Sequence, residues 1–113
     1  MSKREELPVA TAVVLDDLQL ALQALGQEVV VSLLLQDIVW FFQERNADWL
    51  RTCDLLEGLR AVEGRPWAGM TSTKLAKLLR FKFIRPEVRR DGTKFARGYK
   101  RRLIEDALNG RRG

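Results

Sequence analysis

The 113 residues are 46% hydrophobic and 31% charged, a balance that excludes a disordered chain and suits one modest core. A single Cys and no His exclude an internal disulfide, a zinc site with the usual ligands and the commonest general base. The net charge of +5 is unevenly spread: residues 1–50 hold three basic and eight acidic residues, residues 51–113 seventeen and seven. Such segregation points to a polyanionic partner.

Residues 1–27 read as a polar tail and a short helix, with a second unit over 28–113. In the tail, "MSKREELPVA" lacks the apolar run and cleavage site of a secretion signal. Leu15, Leu18, Leu20, Ala21, Leu22 and Leu25 then fall at helical spacing. Asp16 and Asp17 suit the first turn and Gly26 the stop. "QEVVVSLLLQDIVWFFQER" is a longer helix, apolar around most of its girth, with Asp37 as the polar exception and Asn46 at its end. Its apolar run 29–35 is too short to span a membrane, and the chain reads as cytoplasmic. The same girth offers a surface for a second copy or a protein partner.

Thr52 reads as the N-cap of a short helix over 53–62, in which Leu55, Leu56, Leu59 and Val62 face inward and Cys53 lies beside the core stripe. Trp67, after Pro66, plugs the core. Thr71, Ser72 and Thr73 open a helix over 71–81 that turns Leu75, Leu78 and Leu79 inward and Lys74, Lys77 and Arg80 outward. From Phe83 to Arg102 eight of twenty residues are Lys or Arg. In their midst Asp91-Gly92 is a tight-turn dipeptide, giving a hairpin over about 86–100. Val88, Phe95 and Tyr99 are the side chains with which that hairpin can pack, and Gly98 allows close backbone approach. A final helix runs over about 101–109.

Helices followed by a basic hairpin, in this order, make a mainly α winged helix-turn-helix with a helical extension. Its geometry suits duplex DNA, with one helix in the major groove and the hairpin on the backbone. The expected DNA contacts are Thr71, Ser72, Thr73, Lys74, Lys77, Arg80, Arg89, Arg90, Lys94, Arg97 and Lys100. Each has a plain structural reading too: hydroxyls cap helices, lysines opposite a leucine stripe are solvated, and cations guard sheet edges. Gly92-Thr93-Lys94 lacks the glycine spacing of a P-loop, and Glu105-Asp106 diverge on a helix. No catalytic residue, metal or cofactor is expected.

The segments "TCDLLEGL", "RPW", "TSTKLAKLL", "IRP", "GTKFARGY" and "RRLIEDA", in this order over residues 33–108, resemble an uncharacterised bacterial and phage domain. That domain sits at the C-terminus of helicase- and primase-like proteins of phages and mobile elements. The resemblance implies a module accessory to DNA replication, either free-standing or a remnant without its ATPase. Two other readings stay open, an adaptor docking a replication protein and a transcriptional regulator of the same element.

Overall fold

The computed structural model describes residues 17–110. Leu15, Asp16 and the tail before them, like the last arginines, lie outside the described residues. Helix α1 (Asp17–Leu25) leads through Gly26 into α2 (Gln27–Arg45). Strand β1 (Trp49–Arg51), α3 (Thr52–Arg60), α4 (Ser72–Arg80), β2 (Glu87–Asp91), β3 (Lys94–Lys100) and α5 (Arg101–Leu108) follow. The three antiparallel strands lie in the order β1-β3-β2. This mainly helical arrangement with a small sheet is winged-helix-like, as the order of motifs suggests.

The apolar girth of α2 is largely consumed inside this one core. Val30, Val31, Leu34, Leu35, Ile38, Val39, Phe41 and Phe42 are all buried, while Val29 and Trp40 stay exposed. Leu55 and Leu59 of α3, Leu75 and Leu79 of α4, Tyr99 of β3 and Ile104 of α5 close around it. Leu18 of α1 joins the same core, whereas Leu20 and Leu25 remain exposed. Asn46 ends α2 in the left-handed conformation (φ 48°). The next N–H, of Ala47, reaches back 3.1 Å to the Phe42 carbonyl.

Asp37, the polar residue in that apolar helix, has a partner far along the chain. Its Oδ2 accepts from the Trp67 indole N–H at 2.6 Å and from Arg65 Nε at 3.0 Å. Trp67 therefore fills the core, as expected, with its one polar atom satisfied. Asp37→Ala should cost about 2–3 kcal/mol in urea unfolding, because a buried donor loses its acceptor. Asp37→Asn keeps an acceptor and should cost about 1 kcal/mol.

Five local expectations need correction. Strand β1 is a third strand that three residues were too few to signal, paired to β3 from Trp49↔Lys100 to Arg51↔Gly98. Arg51, with extended backbone, occupies the N-cap of α3. Thr52 is instead the buried first helical residue, and its Oγ1 has no hydrogen-bond partner among the described residues. Cys53 is exposed, since a first-turn side chain one step from Thr52 turns off the buried face. The hairpin loop is Gly92-Thr93, one residue later than Asp91-Gly92. Asp91 pairs with Lys94, and Gly92 at φ 69° takes the first central position, as in a type II′ turn. Val88 and Phe95 do not pack: they are 55% and 69% exposed, because the hairpin projects past the core that buries Tyr99.

Candidate nucleic-acid interface

Helix α4 stands where its sequence places it. Thr71 is its N-cap, with Oγ1 accepting from the Lys74 N–H at 3.2 Å, so this hydroxyl serves the helix itself. Leu75, Leu78 and Leu79 are buried, which turns Lys77 and Arg80 to the surface. Lys74 is half-buried and reaches the Gly69 carbonyl at 3.4 Å. On the side of α3, Arg60 clamps the preceding loop, its Nε and Nη2 donating to the Met70 carbonyl at 2.9 and 2.7 Å.

The ladder divides the hairpin cations between two faces. Side chains alternate along a strand, and the register pairs Val88 with Arg97 and Arg90 with Phe95. Val88, Arg90, Phe95, Arg97 and Tyr99 therefore share one face. Arg89, Lys94 and Lys100 share the other.

On the first face, β3 meets α4 in a groove of about 350 Å³ lined by Ser72, Thr73, Lys77, Arg80 and Arg97, with Thr52, Ala76, Pro86 and Tyr99. Three cations from two separate elements converge there, and the lining contains no carboxylate. Among the described residues, no acid pairs with Lys77, Arg80 or Arg97. First-turn N–H groups of a helix lack intrahelical acceptors, so the Ser72–Thr73 end adds donors beside those cations. The groove can thus hold an anion between helix and hairpin.

The second face is differently balanced. Arg89 lies 5.1 Å from the centre of the Trp49 ring and donates to Glu87 Oε1 at 3.3 Å; Lys100 approaches Glu87 Oε2 at 3.7 Å. Both line a hollow of about 310 Å³ that also contains Arg101 and Arg102 with Asp48 and Glu105; Arg101 pairs with Glu105 and Arg102 approaches Asp106 at 3.9 Å. Its cations are already shared with acids. Lys94 is exposed on this face.

Sequence reasoning missed Thr52 and Tyr99 as groove residues. Tyr99 read as an anchor, and it is buried in the core, yet it also lines the groove. Burial pushes its phenol above the ordinary value of 10.0, while the nearby Arg97 and Arg80 pull it back. As the only tyrosine in the chain, it alone should report tyrosinate absorbance on alkaline titration. The rise should come above pH 10, and Arg97→Gln should move it higher still. The folded state favours the protonated phenol, so its contribution to stability is whole below pH 10. It is lost as pH climbs through the raised folded value, and Tyr99→Phe should remove that part of the alkaline loss.

Among proteins compared, the family described as "Protein of unknown function (DUF3631)" matches residues 7–110. No curated protein and no solved structure gives a significant match.

Proposed function

The chain belongs to the DUF3631 family, and we propose that it is a non-catalytic DNA-binding module of winged-helix type. The observation that carries this reading is the carboxylate-free groove in which Lys77 and Arg80 of α4 meet Arg97 of β3. The association with a helicase or primase of a phage or mobile element rests on the collinear motifs from "TCDLLEGL" to "RRLIEDA", and a cytoplasmic setting rests on the single Cys. No helix among the described residues is long and apolar enough to cross a membrane.

Phosphate neutralisation would supply most of the affinity. With the three groove cations, Arg90 and the α4 N-terminus engaged, about three to five phosphates are contacted, and log K should fall with log salt at a slope of about −3 to −4.5. Fluorescence anisotropy with a labelled duplex at several salt concentrations measures that slope. Weak binding indifferent to salt would exclude the reading.

A second reading, an adaptor that docks a protein, is favoured by one feature. Trp40 is 54% exposed beside a hollow of about 480 Å³ lined by Asp37, Phe41, Gly58, Ala61 and Val62. Light scattering over a concentration series tests whether this face joins two copies. Trp40→Glu should abolish any dimer and leave DNA binding unchanged.

A further inference from the structure

The hairpin exposes apolar side chains where a ribbon gripping only phosphates needs none. Phe95 is 69% exposed and Val88 55% exposed. Cross-strand pairing sets Val88 beside Arg97 and Arg90 beside Phe95, so ring, cation, aliphatic group and cation alternate diagonally on one face. The Arg90 guanidinium lies 5.8 Å from the Phe95 ring centre. Arg97 belongs to both this face and the groove. Phe83, 70% exposed at φ 63°, lies on the connection between Arg80 and Pro86, whose two ends both line that groove.

An exposed aromatic ring set between cations suits a partner that offers flat apolar faces and phosphates at nucleotide spacing. In an uninterrupted duplex the base faces are covered by their neighbours, and the ring has nothing to meet unless the stack is opened. An apolar protein surface would have to desolvate Arg90 and Arg97 along with the ring. Resting on the DNA-binding reading above, we propose that the hairpin face receives an unpaired base, stacked on Phe95, while Arg90 and Arg97 hold the flanking phosphates. The partner is then DNA with a single-stranded stretch, an open strand or the fork of a duplex, and the α4 groove holds the adjoining backbone.

The test compares three labelled probes of about twenty nucleotides per strand against the full chain: blunt duplex, single strand and a fork with unpaired arms. Single strand and fork should bind about tenfold tighter than the duplex, as one base–aromatic stack implies. Phe95→Ala should erase that preference and leave duplex affinity unchanged; Phe95→Trp should keep it. Phe95→Leu separates a ring from mere apolarity, and it should behave like the Ala variant. Equal affinity for all three probes would overturn the inference while the DNA reading stands, and so would a preference surviving in Phe95→Ala or Phe95→Leu. Failure of every probe to bind would remove the DNA reading, and the inference with it. The exposed position of Phe95 leaves the fold outside these effects, and circular dichroism of each variant checks it.

Discussion

Replacing Lys77 and Arg97 together by Glu should lower affinity for duplex DNA by about two to four orders of magnitude. Each charge-assisted hydrogen bond to phosphate contributes about 1.5–3 kcal/mol, and each 1.4 kcal/mol is tenfold in affinity. The two residues come from different elements, α4 and β3, and meet only in the groove. Both are exposed, so the fold should survive the exchange. The matched control is the reversal of Arg89 and Lys100. These already share Glu87 and lie on the opposite face of the hairpin, so their loss should cost less than about tenfold. Anisotropy titrations at one fixed salt concentration compare the pairs. The reverse order of effects would move the contact to the Glu87 face.

Gly98→Ala should destabilise the fold by about 2–3 kcal/mol, a large share of a small domain's total. A Cβ at this position would collide with the Leu50 carbonyl oxygen and the Trp49 indole. The carbonyl belongs to the neighbouring strand, so it can yield only by breaking the β1–β3 ladder. One effect opposes this. Ala restricts the unfolded chain, worth about 0.4–1 kcal/mol, against overpacking at about 1–3 kcal/mol and a disrupted ladder. Overpacking wins because backbone is the obstacle. Gly58 is the instructive contrast: a Cβ there meets the Phe41 ring at 2.9 Å, and a side chain can shift. Gly58→Ala should cost less. Urea midpoints with unchanged m-values measure both, and a Gly98→Ala midpoint at the wild-type position would refute the account.

Sequence periodicity located α3 and α4 because each buries one stripe: Leu55, Leu56 and Leu59 in α3, and Leu75, Leu78 and Leu79 in α4. It was silent where the deciding partner is distant. Strand β1 exists only because residues 49–51 meet 98–100, and three residues have no alternation to read. Asp37 looked like an anomaly until Trp67 arrived thirty positions later. The hairpin itself was legible. Its register was not, and moving the loop to Gly92-Thr93 fixes which side chains stand directly opposite, Arg90 with Phe95 and Val88 with Arg97. A linear cluster of positive charge cannot say that Arg97 joins Lys77 and Arg80 while Arg89 turns to Glu87. Nor could composition tell that the hairpin outreaches the core, which leaves Phe95 in water.

The pairing of Leu50 with Tyr99 ties residues 52–97 into a closed lariat whose neck is three residue pairs long. Both walls of the groove hang from that neck, α4 within the lariat and β3 at its knot. If the neck opens, Arg97 is separated from Lys77 and Arg80 in the same event, so no partly melted form retains half a grip. Heat should therefore extinguish DNA affinity and tertiary order along a single curve.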